Sequence, residues 1–348
     1  MSRSGVPAPR GEFGDSPRKK RIGVIGSLVW DVIHGRDAHT APVEEWGGIT
    51  YTLSALDAAL PGNWEIVPIM MVGEDLAIRA REFLRTLKRM SPDASLMAVP
   101  YPAQRVELRY HSEERRTERL SGGLPAWSWL ALKPMLDEAR LDALLINFLS
   151  GWELDLETTK LIRQHFAGPI HCDLHMMAWA VQPDGLRTLR PIPNIAEWCR
   201  CYDFLQMNED ELAMVAPDPL SLAATAIAAG VSCLFVTLGR RGAIYVAAPG
   251  FDAISDLPRR EGLSTAPRGG TGGLGAVRTA LVPAEPVPES LDPTGCGDVW
   301  GATYFSRMLA GDKLADAMKA AGQAAARNVG HRGVTGLASH LRGELSLT

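Results

Sequence analysis

Asp292-Pro-Thr-Gly-Cys-Gly-Asp298 runs without a break into Val299-Trp-Gly-Ala-Thr-Tyr-Phe-Ser-Arg-Met-Leu-Ala-Gly311. A glycine-rich turn thus feeds straight into an apolar helix. Gly295 and Gly297 allow close approach of the backbone to a ligand. The free N–H groups of Gly295, Cys296 and Gly297 would face an anion, aided by the helix dipole. Asp298 then stands at the helix start, beside that anion site. An acid there is a candidate base for a hydroxyl that attacks a phosphate. The plainer role for Asp298 is a helix cap. The Gly-Cys-Gly run and the second acid, Asp292, favour chemistry.

Upstream of this turn, apolar runs and helical patterns alternate. Arg21–Gly26 reads as a buried strand, and further strands are expected at Glu65–Val72, Ala143–Leu149, Pro169–Leu174, Asp203–Met207, Cys233–Leu238, Ala243–Ala247 and Thr279–Pro283. Helices are expected at Ile49–Leu60, Leu76–Lys88, Leu156–His165, Leu220–Ala229, Gly297–Leu309 and Leu314–Val329. Near-continuous apolar strands are covered on both faces. The pattern predicts an α/β fold, a three-layer α/β/α sandwich with a mostly parallel central sheet. In residues 101–120, Val106, Leu108 and Tyr110 alternate with charged residues, which predicts a half-exposed strand, and the charges at 113–119 read as a solvated hairpin tip. Residues 1–20 read as a disordered tail before one domain at 21–348, and 258–278 as a Gly-rich loop.

The chain has 348 residues, enough for one large domain or two ordinary ones. Its 36 Lys and Arg against 40 Asp and Glu leave a net charge of −4, with no footprint for nucleic acid or an anionic membrane. No stretch approaches the ~20 apolar residues of a membrane span. Five cysteines, an odd number without CxxC spacing, fit a reducing cytoplasm.

Asp-Pro-Thr-Gly-Cys-Gly-Asp (292–298) resembles the DTTGAGD signature of the ribokinase-like, or PfkB, carbohydrate kinases. Other segments fall in that family's order. They are GVIGSLVWDVI (23–33), WGGITYTLSALDAAL (46–60), VGEDLAIRAREFL (72–84), NEDEL (208–212) and VTLGRRGA (236–243). The resemblance covers about 21–340. It implies a small β lid from about 31–48 and 101–120, over an acceptor held by Asp31, Gly47, Gly48 and Thr50, with Arg109 on the lid. It implies ATP near Asn208, Thr237, Gly239, Gly242, Thr294 and Gln323, and Mg2+ held through water by Glu211 and Asn208. A monovalent cation near Asp292 and a homodimer through the lid are further expectations. Asp298 would be the base, with Gly295–Gly297 as the anion hole.

Each residue has a plainer reading. Asn208 and Glu211, three apart at a strand end, also make a helix N-cap and its capping-box partner. Asp31 and the Gly-Gly pair fit ordinary turns. The chain departs from the family at two places. Gly-Gly-Ile-Thr-Tyr-Thr (47–52) lacks the usual Asn, so Thr50 or Thr52 takes part of the substrate contact or the substrate differs. Asp173-Leu-His175 stands where Asp-x-Asn is common, which brings His175 toward phosphate or substrate. The expected activity is ATP-dependent phosphorylation of a sugar hydroxyl. The alternatives are a nucleoside kinase, its base against Trp30, Trp46 or Tyr51, and an inactive nucleotide- or sugar-binding homologue.

Overall fold

The computed structural model of the protein describes residues 18–34, 41–110, 116–258, 275–287 and 293–344. Most of the expected tail and Gly-rich loop, part of the 113–119 charge run, and Asp292 with its expected cation lie outside them.

In chain order the elements are β1 (Lys20–His34), β2 (Val43–Gly48), α1 (Ile49–Ala59), β3 (Trp64–Gly73), α2 (Ala77–Arg85), β4 (Ser95–Val99), β5 (Gln104–Tyr110), β6 (Arg116–Ser121) and α3 (Trp129–Ala139). There follow β7 (Ala143–Asn147), α4 (Leu156–His165), β8 (Ile170–Asp173), β9 (Trp179–Val181), β10 (Arg187–Leu189), α5 (Ile195–Cys199), β11 (Phe204–Asn208), α6 (Glu209–Ala213) and α7 (Pro219–Ala229). The last are β12 (Cys233–Thr237), β13 (Ala243–Ala247), β14 (Arg278–Val282), α8 (Cys296–Ala310), α9 (Leu314–Val329) and α10 (Leu337–Leu341).

The main sheet has the order β14-β13-β12-β11-β8-β7-β1-β3-β4. It is parallel except where β12, β13 and β14 pair antiparallel at one edge. Alternate residues of each strand enter different cores, as the two-residue period requires. Phe204 joins the core under α1, α8 and α9, whereas its neighbour Leu205 joins the one under α3, α4 and α7. This is the expected α/β/α sandwich. Among the described residues no helix is long and apolar enough to cross a membrane.

One strand serves two sheets. The first half of β1 pairs in parallel with β3 and β7. Its second half leaves the body and pairs antiparallel with β2 and parallel with β5, which in turn carries β6. Asp31 therefore lies within a strand, opposite Glu45 and Val106, rather than just beyond one. Gly47 and Gly48 close β2, paired with Val29 and Leu28, and do not form a free turn.

Further differences have local causes. Helix α2 stops at Arg85 because Thr86 Oγ1 donates to the Phe83 carbonyl at 2.7 Å and the chain tightens there. Helix α3 was not foreseen; Ser128 caps it, and Pro134 sits inside a weak apolar stripe that hides its period. Residues 116–119 belong to strand β6 rather than a hairpin tip, and Glu118 is buried against Arg187.

Candidate active site

The carboxyl ends of β7, β8, β11 and β12 lie side by side, with Asn147 opposite Asp173 and Asn208 opposite Thr237. Open α/β sheets bind ligands along such an edge. The start of α8 lies against it. Gly295 has φ 73°, and a Cβ there would fall 2.2 Å from the Tyr51 ring, so only glycine fits. Cys296 N–H donates to the Pro293 carbonyl at 3.1 Å. Of the three expected anion-hole donors, Cys296 N–H is thus engaged within the turn. Asn328, which the sequence reading missed, donates to the Thr294 carbonyl at 2.9 Å and to Cys296 Sγ at 3.3 Å.

Asp298 occupies the first turn of α8 without capping it; the N-cap is Gly295. Its Oδ1 accepts from Asn147 Nδ2 at 2.6 Å and from Thr52 Oγ1 at 3.3 Å. Burial pushes the Asp298 carboxyl above its ordinary range, opposed by His175, Asn147 and Thr52. Asn147 was also missed. Its signal was an amide closing the apolar run Ala-Leu-Leu-Ile (143–146).

A pocket lies between this helix start and the second sheet. Asp31, Gly48, Thr294, Gly295 and Asp298 line it together. Gly47 packs so tightly on Asp31 that a Cβ would fall 1.9 Å from Oδ2. Thr50 is buried and donates to the Gly47 carbonyl at 2.9 Å; of the two threonines, Thr52 reaches Asp298. Arg109 does not face the pocket. Strand alternation turns Val106 and Leu108 inward and leaves Arg109 exposed, paired with Glu107. The inward charges are Glu118 and Arg187, another pair the sequence did not reveal, with Arg187 donating to Glu118 at 3.1 Å and to the Leu149 carbonyl at 2.8 Å.

Beyond Asp298, Asn208 caps α6 in a complete capping box with Glu211. The Glu211 carboxylate is 1% exposed. Its Oε1 accepts from His175 Nδ1 at 2.8 Å and Asn208 Nδ2 at 2.6 Å, and its Oε2 accepts from Asn208 N–H at 2.8 Å. The Glu211 carboxylate, expected to hold magnesium through water, is thus engaged by His175 and Asn208. Among the described residues no cluster of three acids, histidines or cysteines suits a metal. Burial opposes charge on His175, but Glu211, Asp173 and Asp298 outweigh it and hold its pKa at about 9. Thr237 ends β12, and Gly239 and Gly242 follow with φ 56° and 103° in the next turn. Gln323 is exposed on α9.

Residues 181–340 match the family model described as pfkB family carbohydrate kinase. No curated protein sequence matches significantly. Among solved structures, ribokinase from Thermotoga maritima superposes with TM-score 0.64 at 16% identity, over 93% of this chain and 98% of that one. A Burkholderia thailandensis nucleoside kinase in complex with inosine gives TM-score 0.64 at 15% identity, over 91% and 94%. Arabidopsis thaliana ribokinase complexed with ribose and ATP gives 0.59 at 16%, over 93% and 99%. The fold is that of the ribokinase-like structures. Within that class, residues 181–340 carry the pfkB carbohydrate kinase match.

Proposed function

We propose that the protein transfers the γ-phosphate of ATP to a hydroxyl of a sugar or sugar-like acceptor. One observation carries this reading: a half-buried carboxylate, Asp298, stands at a glycine-capped helix start and shares a pocket with a buried carboxylate, Asp31. Asp31 accepts hydrogen bonds from acceptor hydroxyls. Asp298 takes the proton of the attacking hydroxyl, and its raised pKa makes it a stronger base once ionised. The amides of Gly295 and Gly297 stabilise charge on the transferred group. ATP extends from there toward Thr294, Thr237, Gly239 and Gly242, with Gln323 toward the base. The sheet of β2, the end of β1, β5 and β6 acts as a lid that keeps water from the phosphoryl group, and two lids pair in a homodimer. Magnesium, held through water by Glu211 and Asn208, would shield the nucleotide's phosphates; the steps above belong to the chain's own residues. A reducing cytoplasm is the compartment of this reading, and the five free cysteines fit it.

A nucleoside acceptor is the second reading. It is favoured by the apolar wall of the pocket, to which Val29, Tyr51, Val106, Leu108, Leu149 and Met176 contribute. The test is a screen of sugars, sugar acids and nucleosides, with and without the nonhydrolysable analogue AMP-PNP. Thermal stabilisation reports binding, and ADP release reports turnover. ADP release with a sugar or a nucleoside chooses between the two. Binding without turnover would mean an inactive homologue.

A further inference from the structure

The hairpin of β9 and β10 leaves the body between β8 and α5 and is sewn onto the second sheet. Leu120 N–H of β6 donates to the Gly185 carbonyl at 2.8 Å, and Arg119 bridges antiparallel to Leu186. Arg119 Nη1 also donates to Asp184 Oδ2 at 2.6 Å. These bonds fix the hairpin against β6, and Arg187 is carried into the pocket beside Glu118. Glu118 lies opposite Leu108 of β5, on the same face of the second sheet as Val106 and Asp31. Both members of the pair are nine-tenths or more buried.

A guanidinium carries five N–H donors in a rigid fork and keeps its charge. Arg187 Nη1 donates to Glu118 Oε2 at 3.1 Å, and Nη2 to the Leu149 carbonyl at 2.8 Å. The fork is thus held from two elements, β6 and the chain after β7. Its third nitrogen, Nε, is buried and has no hydrogen-bond partner. A buried donor left unmet carries a desolvation penalty, and folded proteins keep few of them. This one belongs to a side chain that lines a pocket, next to a carboxylate that only accepts.

We propose that Arg187 and Glu118 determine acceptor specificity: together they read two adjacent hydroxyls of a neutral polyol and turn away acceptors that carry a carboxylate. This rests on the kinase reading above. One hydroxyl oxygen accepts from Arg187 Nε–H, and its neighbour donates to the Glu118 carboxylate. An acidic acceptor finds no such match. The charge of Arg187 is already balanced by Glu118, and a ligand carboxylate in the pocket would meet Glu118 and Asp31, which both only accept. An acceptor without the hydroxyls leaves the buried Nε–H unmet, which is how polar sites reject such analogues. In the kinase reading the donor phosphates lie at Gly295, so the pair acts on the choice of acceptor and not on the donor.

The test is calorimetry on wild type and on Arg187→Lys, which keeps the charge and loses Nε–H with the planar fork. The neutral probes are D-ribose, D-fructose, myo-inositol and adenosine, and the acidic ones D-ribonate and D-gluconate, each with AMP-PNP present. Wild type should bind at least one neutral probe, about 10-fold or more tightly than either acid. Arg187→Lys should bind that probe about 10-fold more weakly and AMP-PNP within about 2-fold. Four results overturn the proposal: unchanged probe affinity in the variant, equal loss for probe and AMP-PNP, a sugar acid as the tightest wild-type ligand, or no neutral probe bound. If Arg187→Lys does not fold, Glu118→Gln takes its place with the same expectations. If neither folds, the wild-type order of neutral and acidic probes decides. A neutral probe that binds wild type but releases no ADP from ATP defeats the kinase reading alone. ADP release with sugar acids only defeats the pair and spares that reading.

Discussion

Asn147 Nδ2 donates to Asp298 Oδ1 at 2.6 Å, across a separation of 151 residues. The bond joins the end of the central strand β7 to the first turn of α8. It stabilises the ionised carboxylate, whereas burial alone favours the neutral acid. A nonpolar replacement therefore raises the Asp298 pKa. In Asn147→Leu, the acid limb of the kcat–pH profile should move to higher pH. A limb that stays in place, or moves lower, would contradict the pairing.

Asp298→Asn removes the proposed base and keeps its shape. Turnover should fall ~10²–10⁴-fold or more. Nucleotide affinity, measured by calorimetry, should hold, because the donor contacts of the turn are backbone groups. Thermal stability should also hold, since Gly295 and not Asp298 is the N-cap. A variant with most of its activity would show that another group takes the proton.

Gly295→Ala should destabilise the fold and impair donor binding together. The left-handed φ of 73° alone costs a residue with a Cβ ~1–3 kcal/mol, and the contact with the Tyr51 ring adds to it. Gly311→Ala, also left-handed at φ 99° but with no atom within 4 Å of the added Cβ, should cost only the backbone share. Denaturant titration of the two variants separates strain from clash. Equal losses would place no weight on Tyr51.

His171 is buried, its ring 5.4 Å from that of Phe305, and burial lowers its pKa to about 3. The unfolded chain takes up the proton near pH 6.5. The unfolded state thus binds more protons than the folded one between about 6.5 and 3, and stability falls as pH drops through that window. His171→Phe removes this contribution. The wild type should lose more melting temperature than the variant between pH 7.5 and pH 5, and parallel curves would refute the assignment.

Arg187 and Glu118 join the body to the second sheet, and their side chains are 4% and 10% exposed. Removing one partner strands a buried charge. Arg187→Met should cost ~3–5 kcal/mol, and the double variant with Glu118→Gln should recover a good part of it. Melting of the single and double variants checks this. A double variant as unstable as the sum of its singles would mean the two charges act independently.

The sequence by itself carried the layered α/β fold, because apolar runs of strand length alternate with helical stripes and need nothing distant to be read. It also carried the turn at Gly295–Asp298 and the capping box of Asn208 and Glu211, both of which are set within a few residues. Tertiary structure decided what met across strands. The split of β1 between two sheets depends on its partners β3, β7, β2 and β5, so Asp31 could not be placed inside a strand from its neighbours alone. Which of the alternating side chains of β5 faces the pocket depends on which side of the second sheet meets the body, so the outward turn of Arg109 was not legible in its neighbours. Asn147, Arg187 and Asn328 became site residues only where strand ends and helices converge. A hydrogen bond between residues far apart in the chain leaves no local periodicity or spacing, since only packing brings its two ends within 3 Å.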